Sequence, residues 1–366
     1  MEFQFATDYP SILRKIEEID PLAYGKTRNY IDGAVTYLSP YISRGVISTK
    51  QVLEHTLARG YKIEQIESFV KELCWRDYFQ RVAQEKDLNQ DIKQTQIPIS
   101  NYEIPAPIIN ASTGIEGIDF AIKQLYKTGY MHNHCRMYTA AIVCNIAQSY
   151  WKHPAEWLYY HLLDGDFASN TLSWQWVAGA NSSKKYYANQ ENINKYTNTH
   201  QANTFLDTTY EQLPFLEIPA NFDRTEKLSL RTTLPEGELL KINPNQPTFV
   251  YNYYNVDPLW HSDEIGNRIL LLEPNFFEAY PVSEKCIQFL LDLALNIPEI
   301  QIFVGSFASL ARQCLQTPIY FKEHPLNSGY VGIEETRDWI VPTLEGYYPS
   351  FFSYWKKVEK QVYQNY

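Results

Sequence analysis

The chain of 366 residues is 45% hydrophobic, 20% charged and 15% aromatic, which excludes a disordered chain and gives length enough for two domains, each with its own core. No run of 18 apolar residues occurs, and Met1-Glu2-Phe3-Gln4 lacks the basic start and apolar core of a signal peptide, so neither a membrane span nor a leader is read. Five cysteines form no CxxC, which argues against structural zinc and a disulfide framework and for a reducing, cytoplasmic setting.

The formal charge of −10 read over the whole chain speaks against nucleic acid as a partner. It is unevenly spread. Residues 1–200 hold 20 basic and 21 acidic side chains, residues 201–300 hold 6 and 15, and residues 301–366 hold 6 of each. The acidity belongs to one stretch, and the first 200 residues are close to neutral.

Taken in chain order, residues 1–200 read as helical. Residues 65–84 and 117–127 carry apolar side chains at helical spacing. Residues 201–246, with four prolines, many acids and no clear period, read as a connection. Beyond it, residues 248–253, 268–273 and 300–305 are β-rich runs, with 319–321 a weaker fourth and a helical pattern over 283–295 between the second and third. Strand, helix and strand in that order is the pattern of a parallel α/β unit. The expected architecture is mainly α: an all-helical domain over 1–200, an acidic connection over 201–246 and a small α/β domain over 247–366.

Four clusters in the helical part concentrate polar, aromatic and small residues. Tyr24 to Asn29 and then Gly33 to Tyr41 place hydroxyls just before a helix, where backbone N–H groups and the helix dipole favour an anion such as phosphate. A plain helix cap is the alternative reading. Glu72, Trp75 and Arg76 share one helix face and can stack and hydrogen-bond a planar base; a core-edge Trp with a surface Glu–Arg pair is the alternative. Asn133, Arg136 and Met137 repeat that spacing. His132 and His134 lie two residues apart and point away from each other on a helix, so metal is the weaker reading there. Asp166, Asn170 and Trp174 line one face of a helix after Gly165, and burying such groups without a partner costs ~1–3 kcal/mol each. They imply a polar, planar ligand.

In order, the segments LSPY, ELCWRDY, TGIEGID, TGYMHNHCRM, DGDFASN and WQWVAG resemble the flavin-binding helical domain of the photolyase/cryptochrome family over about residues 20–196. The resemblance implies FAD as cofactor, with Tyr24, Thr36, Leu38 and Ser39 at its phosphates and Arg136, Asp164 and Asp166 around the isoalloxazine. Asn170 then lies beside flavin N5. It also implies a pocket for an extruded pyrimidine dimer formed by Glu72, Trp75, Asn133, Met137 and Trp176, since a dimer must leave the base stack to be reached. UV-damaged DNA, single strands included, is the expected partner, with no membrane and no metal. The implied reaction is light-dependent splitting of the cyclobutane ring by an electron from excited reduced FAD. Glu72 hydrogen-bonds the dimer and stabilises its radical anion, and the protein supplies binding, orientation and a dry site. A cryptochrome-like photosensor is the alternative.

Within this resemblance, Asn133 and Met137 stand where members acting on (6-4) photoproducts carry histidines, which points to cyclobutane dimers. Trp174 matches the flavin-proximal electron donor and Trp151 the middle donor. No Trp lies between Trp75 and Trp151, so the outer donor is Tyr102 or a neighbouring tyrosine, or the relay leaves by Trp157. Val35 replaces a hydroxyl residue of the phosphate loop, costing ~1 kcal/mol for one hydrogen bond, and His134 replaces an arginine that helps hold DNA. The family's antenna domain does not precede the helical part. The C-terminal α/β segment is a candidate rearranged equivalent, but it carries no motif assignable to a chromophore.

Overall fold

The computed structural model describes residues 4–314, 317–327 and 329–366; Met1, Glu2 and Phe3, read above for a leader, lie outside them. The chain forms two compact units. One, the helical unit, comprises Ala23–Val35 and Lys86–Leu230; the other, the sheet unit, comprises the N-terminal residues to Leu22, Thr36–Glu85 and Arg231–Tyr366. These bounds differ from the sequence divisions at 200 and 246. The physical reason lies in α1 (Ile63–Glu85), the long helix that carries Glu72 and Trp75. It packs on the C-terminal helix, and its buried Asp77 and Tyr78 bond residues 340 and 348.

The helical unit is built from α2 (Glu116–Thr128), α3 (Asn133–Ala141), α4 (Lys152–His161) and α5 (Phe167–Ala178). The Thr113-Gly114 segment is a start signal for α2: Asp119 Oδ1 accepts from the backbone N and the hydroxyl of Thr113, both at 2.7 Å. Gly129 ends that helix in the left-handed region, φ 73°, where a glycine is the least strained residue. His132 caps α3, its Nδ1 accepting from His134 N at 3.2 Å. Asp166 caps α5 through Ser169 N at 2.7 Å. The unit is not wholly helical, because Ile104–Pro105 and Thr225–Glu226 pair as a short antiparallel ladder.

In the sheet unit, β1 (Thr248–Tyr251), β2 (Asn267–Leu272), β3 (Gln301–Val304), β4 (Ile319–Lys322) and β5 (Ile333–Glu335) form one sheet in the order β3-β2-β1-β4-β5, every pair parallel. The crossover helix α6 (Glu284–Ala294) lies between β2 and β3, and α7 (Phe307–Gln313) between β3 and β4. Every residue of β1 and β2 is buried, as a parallel sheet covered on both faces requires. The order reverses at β1 and β4, and the crevice at their carboxyl ends is where such sheets hold ligands. Here Tyr253, Phe276, Phe277 and Tyr330 help line a residual cavity of about 20 Å³, and the Glu273 carboxylate is taken by Phe307 N and the Tyr330 hydroxyl, both at 2.8 Å.

The C-terminal helix α8 (Phe351–Asn365) packs on α1 within this unit. The segment before it is tied to α1 as well: Tyr78 Oη donates to Tyr348 O (3.2 Å), and the Arg81 guanidinium lies 3.7 Å from the centroid of Trp339. Asp77 is the buried acid of this seam. It accepts from Thr49 Oγ1 at 2.7 Å and Ile340 N at 3.0 Å. Burial nevertheless pushes its carboxyl up to about 6, against those two hydrogen bonds and the nearby Arg337 and Arg81. The folded chain therefore holds this proton more tightly than the unfolded chain does, and stability falls as pH rises from about 4 to 6, by roughly 3 kcal/mol. Urea titrations across pH 4–7 are expected to show that fall, and Asp77→Asn to flatten it; an unchanged slope in the variant overturns the assignment.

Candidate functional site

The helical unit carries the larger share of the polar residues singled out by sequence. On α5 the cap Asp166 is followed at one-turn intervals by Asn170 and Trp174. Trp174 is buried, and Asn170 Nδ2 donates to Ala155 O at 2.9 Å, which leaves the amide's second N–H and its carbonyl on the helix wall. Further polar residues lie on α3 and in the turn before α5. Arg136 Nη2 lies 2.9 Å from both carboxylate oxygens of Asp164, while its Nε donates to Met131 O at 2.7 Å. The Asp164 side chain is only 3% exposed, that of Arg136 21%. A guanidinium fixed by a buried carboxylate and a backbone carbonyl is held in one orientation. The Ser169 hydroxyl on the same helix is buried with no hydrogen-bond partner among the described residues.

Tyr24 has the Arg28 guanidinium 5.8 Å from its ring centroid. Asn133 is exposed at the start of α3, and Met137 packs half-buried against the unit's core. Trp176 is 40% exposed, with Tyr186 tilted beside it at 5.6 Å. A large ring this open to solvent is available for stacking. The two histidines do not splay apart as the helical spacing suggests, because His132 lies just outside α3 as its cap. Their rings are nearly parallel, 6.4 Å apart at 17°, and His134 also stacks on Tyr196 at 4.8 Å. Burial pushes both imidazoles down to about 4; positive neighbours add to it, His134 and Arg136 for His132, and Arg28 for His134. Both rings are neutral at pH 7, so His134 supplies no cation to a phosphate. Among the described residues no group of three or more His, Cys, Asp or Glu side chains is placed to hold a metal. No helix among them is long and apolar enough to cross a membrane. All five cysteines are free and buried.

The sheet unit carries the remaining candidates. Thr36 Oγ1 accepts from Leu38 N at 3.4 Å, and Tyr37 between them has φ 54°, a strained value for an aromatic residue. Leu38 occupies the cap position of the short helix Ser39–Ser43 and no side chain caps it, so the hydroxyls of this segment are not spent as a helix cap. On α1, Arg76 donates to Ser43 Oγ. Trp75 does not present two open faces: Phe351, the first residue of α8, stacks on it with centroids 3.9 Å apart at 11°, and Phe79 lies tilted at 5.1 Å. Sequence reasoning did not find Phe351, and no local pattern near either residue announces the pair.

Residues 69–210 match the family described as the FAD binding domain of DNA photolyase. The deoxyribodipyrimidine photo-lyase of Vibrio cholerae is 31% identical over 150 residues, covering 38% of this chain and 32% of its own length. Cryptochrome DASH of Ostreococcus tauri is 31% identical over 220 residues, covering 56% and 39%. Among solved structures, a Synechocystis cryptochrome overlaps with TM-score 0.47 at 24% identity, over 54% of this chain and 44% of that one. The chain thus spans about a third of the length of these curated relatives.

Proposed function

Because residues 69–210 match the FAD binding domain of DNA photolyase, we propose that the chain is a light-dependent DNA-repair flavoprotein that splits cyclobutane pyrimidine dimers. The helical unit offers such a cofactor polar groups that fit a planar, hydrogen-bonding ring: the Ser169 hydroxyl, buried with no hydrogen-bond partner among the described residues, the Asn170 amide and the oriented Arg136–Asp164 pair. Tyr24, Thr36, Leu38 and Ser39 are assigned to its phosphates. When bound, FAD supplies one-electron chemistry driven by light. The chain's own residues bind and orient. In the helical unit, Arg136, Asp164, Asp166 and Asn170 are assigned to the ring and Trp176, Asn133 and Met137 to the extruded bases; in the sheet unit, Trp75 is assigned to stacking on a base and Glu72 to accepting a ring N–H.

The observation that carries the repair reading is the exposed Trp176 on the same helix as Asp166, Asn170 and Trp174. A large ring open to solvent is available for an extruded base to stack on, and a sensor has no need of one. The photosensor reading is favoured by one observation, the Phe351 ring that already occupies a face of Trp75. Binding separates the two. Flavin-loaded protein is expected to bind a dimer-containing oligonucleotide more tightly than the undamaged one, whereas equal affinities for the two favour the sensor.

If a base must displace Phe351, the stacked pair opposes binding by ~0.5–1.5 kcal/mol. Phe351→Leu keeps an apolar side chain in the seam and is expected to strengthen dimer binding by about threefold to tenfold. Titration with a fluorescent dimer-containing strand reads this directly. An unchanged Kd would place the base on the other face of Trp75.

A further inference from the structure

The crevice at the carboxyl ends of β1, β2 and β4 lies where a sheet of this strand order holds its ligand. Its chemistry is the reverse of a phosphate site, which offers glycines and free backbone N–H groups. Here β1 runs into Asn252-Tyr253-Tyr254-Asn255. Asn252 N and Asn255 N donate to each other's carbonyls at 3.1 and 3.0 Å, and Tyr254 N donates to Asn252 Oδ1 at 3.0 Å. Glu273 follows β2, and the short helix after it, Pro274–Ala279, opens on a residue with no N–H. The Phe307 N–H at the start of α7 is taken by Glu273.

What the crevice offers is negative charge, acceptor oxygens and aromatic rings. The Glu273 carboxylate accepts from Phe307 N and from the Tyr330 hydroxyl, both neutral donors. Among the described residues no Lys, Arg or His forms an ion pair with it. Those two hydrogen bonds fill about half of the roughly four acceptor positions of a carboxylate. Asn252 Nδ2 donates to Asn327 Oδ1 at 3.0 Å, and Asn327 Nδ2 to Lys322 O at 2.8 Å. Each of the two amide oxygens accepts one bond and keeps a lone pair.

The rings of the crevice meet nearly at right angles: Tyr254 with Phe276 at 86°, Tyr253 with Phe277 at 85° and Phe276 with Phe277 at 89°. The face of such a ring attracts a cation. Tyr253 already holds one, the Arg44 guanidinium 3.6 Å from its centroid, and Arg44 is not part of the cavity lining. His324 stacks on Tyr254 at 4.0 Å and adds no charge at pH 7. Burial, then Arg337 and Arg44, push its imidazole well below the usual range. The cavity of about 20 Å³ has room for one group the size of a water molecule, and none for a planar ring system.

We infer that this crevice binds the ammonium head of a primary alkylamine. An ammonium group has the size of the cavity, supplies the positive charge that Glu273 lacks, and donates three N–H bonds. Glu273 and the oxygens of Asn252 and Asn327 accept those bonds, and the aromatic rings surround the head. The first methylenes of the alkyl chain pack on Phe276 and Leu326, which are half-buried in the lining. The Tyr330 hydroxyl and Phe307 N–H hold the carboxylate in place before the ligand arrives, which lowers the cost of binding. An anion finds only the Glu273 charge and spent N–H groups.

The test is isothermal titration calorimetry of the full chain with n-butylammonium, compared with butyrate and tetramethylammonium at the same ionic strength. n-Butylammonium is expected to bind saturably and butyrate not at all. Tetramethylammonium, with no N–H to donate, should bind about tenfold more weakly. Glu273→Gln keeps a hydrogen-bonding group against Phe307 N and the Tyr330 hydroxyl and removes the charge. It should raise the Kd for n-butylammonium about tenfold. Phe276→Leu keeps an apolar side chain and loses the ring, and should raise it about threefold. No saturable heat with n-butylammonium, butyrate or tetramethylammonium bound as tightly, or an unchanged Kd in either variant overturns the site. Flavin and light take no part in this measurement, so its outcome is independent of the repair reading.

Discussion

Arg136→Leu is expected to destabilise the helical unit by about 3 kcal/mol and to abolish flavin retention. The Asp164 side chain is 3% exposed and its carboxylate lies 2.9 Å from Arg136 through both oxygens. Removing the guanidinium takes the bidentate cation from a buried negative charge, and breaking such a pair by deleting one partner costs ~3–5 kcal/mol. The lower figure applies because Arg136 is itself one-fifth exposed and water screens the pair. Asp164→Asn serves as the companion variant. It removes the charge but keeps an acceptor oxygen, so it should fold nearly as well as the native chain and hold flavin more weakly. Thermal melts and the flavin absorbance after gel filtration separate these outcomes. Equal flavin content in all three proteins would remove Arg136 and Asp164 from the cofactor site.

The second large effect concerns the substrate. Glu72→Gln is expected to slow dimer splitting on the order of 10²-fold, as the loss of one oriented charged hydrogen-bonding group in a dry site does, while flavin stays bound. Glu72 is half-buried on α1, three residues before Trp75. Gln conserves volume and one acceptor but not the charge, so the comparison isolates the electrostatic part. Single-turnover repair at saturating light checks the rate, and flavin absorbance checks the site. Loss of flavin in the variant contradicts the assignment of Glu72 to the lesion pocket.

The C-terminal sheet was legible because continuous apolar runs leave little choice. The runs beginning at 248, 268, 300 and 319 fall on β1 to β4, and the helical pattern over 283–295 on α6. The fifth strand, Ile333–Glu335, carries two exposed residues and one partly exposed and no alternation to read. In the helical part, spacing placed Asp166, Asn170 and Trp174 along one helix, and Asp166 is the cap of α5, which carries the other two. What spacing does not reach is pairing between distant residues. Phe351 on Trp75, 276 positions away, and Asp91 between Tyr150 and Trp151 leave no local trace. The same limit explains the unit boundaries. The helix carrying ELCWRDY reads as part of a continuous helical domain, yet Asp77 and Tyr78 are satisfied by residues 340 and 348. The whole-chain charge of −10 misleads for a related reason. The helical unit holds 13 basic and 15 acidic residues, so the bulk of the negative charge lies in the other unit. With His134 neutral as well, DNA binding by the helical unit is expected to be modest and salt-sensitive.

Light-dependent reversal of the dimer is the most direct measurement. Flavin-loaded protein under reducing conditions is mixed with a single-stranded oligonucleotide containing one cyclobutane dimer, and the return of pyrimidine absorbance is followed under blue light and in the dark. Repair chemistry predicts recovery in the light only, strongly slowed in Glu72→Gln. Bound flavin with a dimer left intact under illumination contradicts it.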